Sequence, residues 1–164
     1  MSANKDRPHV FVLPEDDENR QLANGFYLLL DQNIERRLRV LPVAGGWLKV
    51  LDNFVDDHAP GMKRYPRRYF VLLIDFDGKP ERLEMAKSKI PAHLTDRVFV
   101  LGALREPKDL RHALNHSCEE IGQKLANDCR EKSEAIWGHP LLRHNAGELA
   151  RLQVQVRPIL FPSI

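Results

Sequence analysis

The sequence predicts an α/β protein with a mainly parallel four-stranded sheet, flanking helices and a helical C-terminal extension. Four short apolar runs alternate with segments whose apolar residues recur at helical spacing, which is the pattern of strands joined by crossover helices. After Pro107 the pattern is helical only. We therefore expect a single domain over residues 1–164, with a core at 9–115 and a helical extension at 116–164.

Each predicted strand is an apolar run that ends at or beside a proline, glycine or aspartate. The third, RYFVLLID, is apolar almost throughout its length. This composition indicates a strand that is buried on both faces of the sheet. The four runs are His9–Leu13, Arg37–Val43, Arg68–Asp75 and Arg97–Leu101.

The predicted helices carry apolar residues three and four positions apart. Ser117 and Glu120 form a capping box at the start of one of them, and Glu148 stands at the equivalent position after Asn145. The helical segments are about 19–30, Gly45–His58, Lys79–Ile90, Lys108–Asn115, Ser117–Lys132 and a stretch that begins near Asn145.

Composition limits the classes of protein. A chain of 164 residues with 43% hydrophobic and 29% charged residues can bury one globular core. A net charge of +2 does not by itself indicate nucleic acid as a partner. The first residues lack the apolar segment of a secretion signal, and no run approaches the roughly 18 apolar residues of a membrane span. We expect a cytoplasmic protein with no membrane partner.

The two cysteines, Cys118 and Cys129, fall on one predicted helix. At about 1.5 Å per residue they lie roughly 16 Å apart, whereas a disulfide requires Cα atoms within about 7 Å. They therefore cannot form an intrachain disulfide, nor can both bind one zinc ion together with His139 and His144. We expect two buried thiols.

Acidic residues gather where the predicted strands end. Ligands of parallel α/β sheets bind beyond the carboxyl ends of the strands, so these residues are the candidates for a site. One acidic loop means little, but three of the four strand ends are acidic. The residues are Glu15 and Asp16 after the first strand, Asp75 and Asp77 at the end of the third, and Glu106 after the fourth.

Asp75 and Asp77 are two positions apart, so on a continuing strand both side chains face the same side. Two carboxylates about 4 Å apart repel by roughly 4 kcal/mol at an effective dielectric constant near 20. Proton uptake or a divalent cation relieves such repulsion, and carboxylate oxygens suit Mg²⁺, Mn²⁺ or Ca²⁺. The alternative is that Asp77 and Gly78 form a tight turn and residues 15–18 the charged first turn of a helix.

The sequences VFVLPE, ending at Glu15, and LLIDFD, with Asp75 and Asp77, resemble the TOPRIM family. That fold is shared by type IA topoisomerases, primases, small nucleases and OLD-family nucleases. The glycine-bearing turn VAGGW and the segment RVFVLGALREPKDL, which contains Glu106, are similar to OLD-type sequences. The resemblance covers roughly residues 9–115, although Asp16 replaces the glycine that usually follows the family's glutamate.

This resemblance implies metal-dependent phosphodiester chemistry on nucleic acid, as in a TOPRIM-like nuclease. Glu15 would act in acid–base chemistry or as a second metal ligand, and Asp75 and Asp77 would hold Mg²⁺ or Mn²⁺. Glu106 or Asp16 would assist. Because the chain is only slightly basic, a protein partner subunit is expected to contribute to nucleic-acid binding.

Two alternatives stay open. The segment VLPEDDENRQL resembles the acidic first loop of response-regulator receiver domains, in which Asp75 would be the phosphoacceptor. Receivers carry a lysine after a fifth strand, however, and no such element follows Leu101. The other alternative is a non-catalytic α/β interaction module or a subunit of a larger assembly.

Three further features have a local interpretation as well as a functional one. The basic segment Lys63–Arg68 is a solvated loop or a contact to nucleic-acid phosphates. Gly45 and Gly46 precede a helix and can bind a phosphate through free N–H groups. His139 and His144 can serve as general bases or belong to a helix–loop–helix turn.

Overall fold

A four-stranded sheet forms the centre of the structure, a computed structural model that describes residues 7–162. All neighbouring strands run parallel, in the spatial order β2-β1-β3-β4. The predicted α/β class with four parallel strands is confirmed. The strands are β1 (His9–Pro14), β2 (Leu38–Val40), β3 (Arg68–Leu73) and β4 (Val98–Leu101).

Helices cover both faces of the sheet. One face carries α1 and the helices that follow β4, including the predicted helical C-terminal region; the other face carries the helices between β2 and β4. No helix in residues 7–162 combines the length and apolar character of a membrane span. In chain order the helices are α1 (Asp17–Leu28), α2 (Trp47–Asn53), α3 (Ala59–Arg64), α4 (Arg82–Ser88), α5 (Pro107–Leu114), α6 (Cys118–Glu131), α7 (Ala146–Gln155) and α8 (Arg157–Leu160).

Side chains of β1 alternate between two apolar cores, as a strand requires. Val10 and Val12 belong to the core under α1 and α6, whereas Phe11 and Leu13 belong to the core under α2 and α4. The near-continuous apolar runs in the sequence follow from this arrangement, because both faces of the sheet are buried.

The contact between α1 and α6 depends on two glycines. A Cβ atom on Gly25 would stand 2.0 Å from the carbonyl oxygen of Glu119, and one on Gly122 would stand 2.1 Å from that of Leu22. Only glycine permits this approach of the two backbones. The contact fixes α1, whose N-terminal end lies at the carboxyl edge of the sheet.

Of the two capping boxes predicted at helix starts, one is present and the other is not. The capping box of Ser117 and Glu120 is confirmed at the start of α6, which also carries the two buried, free cysteines. The predicted role of Glu148 in a capping box is wrong, because Asn145 makes no side-chain cap at α7. The side chain of Asn145 instead bonds both the N–H and the carbonyl of Gly102, at 3.1 and 3.0 Å.

Candidate metal centre

The carboxyl edge of the sheet contains a crevice between β1 and β3. From β1 the chain passes to β2 on one side, and β3 and β4 lie on the other. Loops diverge at such a reversal of strand order, and this is where open α/β sheets bind ligands. Glu15 follows β1 directly and Asp75 lies two residues beyond the end of β3. The predicted acidic edge therefore coincides with the crevice.

Three carboxylates converge there. One oxygen each from Glu15, Asp16 and Asp75 lies within 4.8 Å of the other two. Asp75 is buried, and Glu15 and Asp16 are half-buried. Within residues 7–162 no other group of three histidine, cysteine or acidic side chains comes together in this way. We refer to these three residues as the carboxylate cluster.

Asn19 holds two members of the carboxylate cluster together. Its Nδ2 donates to Oδ1 of Asp16 and to Oδ1 of Asp75, at 2.9 Å in each case. Asp16 is also the N-cap of α1 and accepts the backbone N–H of Asn19 at 3.0 Å. Sequence reasoning did not select Asn19, although its position three residues after an aspartate N-cap was a local indication.

Glu15 is fixed by the loops on both sides. Its Oε1 accepts the backbone N–H of Asp75 at 2.9 Å, and its own N–H donates to the carbonyl of Leu73 at 2.9 Å. The carbonyl of Glu15 accepts the N–H of Gly45 at 2.8 Å. Its second carboxylate oxygen makes no hydrogen bond to the residues that the structure describes, so it is available to a ligand.

Burial and mutual repulsion disturb the titration of the carboxylate cluster. Burial raises the pKa of Asp75 to about 7; the hydrogen bond from Asn19 opposes this shift, and the charges of Glu15 and Asp16 add to it. Burial also raises the pKa of Glu15. Without a counter-charge the cluster therefore retains a proton near neutral pH.

Asp77 lies apart from the carboxylate cluster. The expectation that it shares a face with Asp75 is not met, because β3 ends at Leu73 and the alternation of a strand does not extend to these residues. Asp77 and Gly78 have φ angles of 52° and 74°, and Lys79 donates its N–H to the carbonyl of Phe76 at 2.9 Å. The alternative interpretation, a tight turn at Asp77 and Gly78, describes this segment, and the Asp77 side chain is 73% exposed.

Glu106 also lies outside the carboxylate cluster. It is the N-cap of α5, and its N–H donates to the side chain of Asp109 at 3.2 Å. It affects the cluster through space, where its negative charge contributes to the raised pKa of Glu15. Of the predicted site residues, the structure thus brings together Glu15, Asp16 and Asp75 and leaves Asp77 and Glu106 outside.

Arg82 adjoins the carboxylate cluster and was not selected from the sequence. Its Nη1 donates to the carbonyl of Asp75 at 2.8 Å, and its guanidinium carbon lies 4.3 Å from the centre of the Trp47 ring. Asp75 and Arg82 are separated by a turn and Trp47 is distant in the chain, so neither helical nor strand spacing indicated these contacts. An arginine at the first position of a helix was the one available signal.

The other sequence candidates lie elsewhere. The basic segment Lys63–Arg68 leads into β3, whose first residue is Arg68, and is therefore at the opposite, amino edge of the sheet. His144 packs against the ring of Phe76 at 4.6 Å, and burial lowers its pKa. Nδ1 of His139 accepts the N–H of Leu141 at 3.1 Å, as expected of a turn residue.

Comparison with protein-family models, with curated proteins and with solved structures gives no match. Interpretation of the site therefore depends on its chemistry. Three carboxylates offer hard oxygen ligands, which suit Mg²⁺, Mn²⁺ or Ca²⁺ rather than zinc or copper. No cysteine or histidine of residues 7–162 joins them.

Proposed function

We propose that the carboxylate cluster holds a divalent cation, Mg²⁺ or Mn²⁺, and that the protein carries out metal-dependent phosphodiester chemistry on nucleic acid, as a TOPRIM-like nuclease does. The observation that carries this proposal is the convergence of Glu15, Asp16 and Asp75 within 4.8 Å at the strand-order reversal. A protein partner subunit that helps to bind nucleic acid remains part of the proposal.

The carboxylate cluster fits a divalent cation because the positive charge beside it does not neutralise it: the charge of Arg82 lowers the pKa of Glu15, but burial outweighs this effect and the pKa stays raised. Among residues 7–162, no lysine, arginine or histidine forms an ion pair with Glu15, Asp16 or Asp75. Asp75 is buried nonetheless, and burial, with the charges of Glu15 and Asp16 adding to it, raises its pKa to about 7. A divalent cation would take the place of the retained proton.

The residues of the chain have separate roles in this proposal. Asp16 and Asp75 are ligands whose positions the Asn19 amide fixes in advance. Glu15, with its raised pKa and one unbonded oxygen, is suited to accept a proton from water. When bound, the metal ion supplies polarisation of a phosphoryl oxygen and a lowered pKa for the attacking water.

The receiver-like alternative has support in the site as well. Two acidic residues follow β1 and Asp75 lies just beyond β3, which is where a phosphoacceptor would be expected. Against this, the sheet within residues 7–162 has four strands, and no strand followed by a lysine comes after β4. The interaction-module alternative predicts neither metal binding nor phosphorylation.

The test of the proposed function combines catalysis with metal binding. Purified protein should cleave single-stranded or nicked DNA in the presence of Mn²⁺ or Mg²⁺, and Mn²⁺ should raise its melting temperature, since a ligand of the folded state stabilises it. Glu15→Gln should abolish cleavage and leave the protein folded. Glu106→Gln, outside the carboxylate cluster, is the matched control and should retain cleavage.

Each alternative function predicts a result that would contradict the proposed one. Absence of both cleavage and a Mn²⁺-dependent rise in melting temperature would show that the metal proposal is wrong and favour an interaction module. A hydroxylamine-labile adduct at Asp75, detected by mass spectrometry after incubation with a small phosphodonor, would instead establish the receiver-like function.

A further inference from the structure

Arg82 is a nearly buried cation beside the carboxylate cluster, close enough for its charge to lower the pKa of Glu15. It is the first residue of α4, where the partial positive charge of the helix end is unfavourable to it. It is only 9% exposed. Within residues 7–162, its single carboxylate neighbour inside 4.0 Å is Asp77, with Nη2 and Oδ2 3.9 Å apart. A residue placed against these preferences is expected to serve a function.

The guanidinium of Arg82 is rigidly held but retains unused donors. The Trp47 ring stacks against it at 4.3 Å, and the carbonyl of Asp75 accepts one of its five N–H groups. No other hydrogen bond from this side chain is made to the described residues. The group is therefore oriented in advance, with donors free for an additional acceptor.

A second cation, Lys49, lies in the first turn of α2. Gly45 and Gly46 precede this helix with φ angles of 94° and 155°, and Nζ of Lys49 is 3.9 Å from where a Cβ of Gly45 would stand. Lys49 is exposed and makes no ion pair within residues 7–162. Because the N–H of Gly45 donates to Glu15, this loop is attached to the carboxylate cluster.

We propose that Arg82, supported by Trp47 and assisted by Lys49, binds a phosphate group, and that Asp77 screens Arg82 until the phosphate arrives. The planar guanidinium has the geometry that phosphate oxygens prefer. That the phosphate belongs to a nucleic-acid substrate rests on the proposed function. Binding of the anion itself requires no metal ion.

Asp77 is suited to this screening role because it is held weakly. Its carboxylate is 73% exposed, and 3.9 Å from Arg82 is beyond hydrogen-bond distance. A phosphate oxygen can displace it at little cost. In this role Asp77 competes with the phosphate, so Asp77→Asn should strengthen phosphate binding and leave the Mn²⁺ effect unchanged. The resemblance to TOPRIM proteins implies instead that Asp77 binds metal, so the same substitution would weaken the Mn²⁺ effect.

The experiment titrates the protein in EDTA with inorganic phosphate and with a 5′-phosphorylated oligothymidylate while following tryptophan emission. The chain has two tryptophans; Trp47 reports on Arg82, and Trp137 is buried with its Nε1 bonded to Leu125. Arg82→Gln should weaken binding at least about tenfold, and Arg82→Lys less. Asp77→Asn should tighten binding roughly two- to fivefold.

The outcomes separate this proposal from the proposed function. Arg82→Gln should keep the Mn²⁺-dependent rise in melting temperature. If wild-type protein binds phosphate but its melting temperature does not rise with Mn²⁺, the metal proposal alone is contradicted. Wild-type protein that does not respond to phosphate, or Arg82→Gln protein that binds like wild type, would overturn the phosphate site. If Arg82→Gln does not fold, Arg82→Lys combined with Lys49→Gln must lose binding. An Asp77→Asn variant that loses the Mn²⁺ effect would overturn the screening role.

Discussion

Two buried carboxylates in this protein have opposite surroundings. Glu148 on α7 is 2% exposed and pairs with Lys87 at 2.9 Å and with Arg151 at 2.5 Å. Asp75 is 9% exposed, accepts a hydrogen bond from the neutral amide of Asn19 and lies beside two further carboxylates. Glu148 forms ion pairs with two cations of the fold, whereas Asp75 forms no ion pair within residues 7–162.

The difference indicates which acidic residue serves the fold. A buried charge destabilises a protein unless it is paired and hydrogen-bonded. Each carboxylate oxygen of Glu148 is paired with a cation, and Arg151 links this pair to the sheet, since it also donates to the carbonyl of Thr95 at 2.5 Å and stacks on Phe99 at 4.6 Å. Asp75 forms no ion pair within residues 7–162 and has a pKa raised to about 7, and these two features are the physical basis of the proposed metal site.

The largest effect on stability is expected from removing Glu148 from its ion pairs with Lys87 and Arg151. Glu148→Ala leaves two cations without their partner and should lower the free energy of unfolding by about 3 to 5 kcal/mol, measured by urea denaturation. The control is Glu131→Ala, which removes an exposed ion pair with Arg130 and should change stability by less than about 0.5 kcal/mol. Equal changes in the free energy of unfolding for the two substitutions would show that the ion pairs of Glu148 do not stabilise the fold, and its contrast with Asp75 would be lost.

A change in stability of opposite sign is expected at the carboxylate cluster. Asp75→Asn should raise the free energy of unfolding by about 2 to 4 kcal/mol near pH 8 without metal, because it removes a charge whose pKa is raised to about 7. The amide oxygen can still accept the hydrogen bond from Asn19. The matched control is Glu148→Gln, which should lower stability. Destabilisation by Asp75→Asn would identify Asp75 as structural and contradict the functional assignment.

Sequence reasoning was successful where the relevant signal is local. Apolar runs and helical spacing predicted the α/β class, and the position of Asp75 after a buried strand placed it at the carboxyl edge. The spatial strand order was not predictable in the same way, because a crossover helix is compatible with a strand on either side of its predecessor. The crevice between β1 and β3, which unites Glu15 with Asp75, was therefore not visible in the sequence.

The prediction for Asp77 failed for a physical reason. Two positions share a face only while the backbone stays extended, and the chain turns at Asp77 with a φ of 52°. The Asp-Gly dipeptide was the competing local signal, and it decided the conformation. Asn19 was missed because Asp75 lies 56 residues away in the sequence. Arg82 was missed because its contact with the Asp75 carbonyl crosses a turn and residue type alone did not indicate it.

The smallest expected effect, for any one pH unit, is the change in stability that follows the titration of Asp75 within the carboxylate cluster. The unfolded chain releases this proton near the ordinary pKa of 3.8, and the folded protein releases it near pH 7. Between these values the folded state holds the extra proton, so the stability contributed by this group falls as pH rises, by about 1 kcal/mol per pH unit, and is constant above about pH 7.

Titrating groups outside the carboxylate cluster cancel when wild type and Asp75→Asn are compared at each pH in EDTA, so the difference reports on the cluster, in which Asp75 interacts with Glu15 and Asp16. The variant's advantage in free energy of unfolding should grow from about pH 4 to about pH 7 and then remain constant. A constant advantage across this range would show that Asp75 is ionised throughout.

Mn²⁺ should reduce the advantage most above pH 7, where the carboxylate needs no deprotonation before binding. Glu148→Gln compared with wild type should show no such response to Mn²⁺, because Lys87 and Arg151 already neutralise that site.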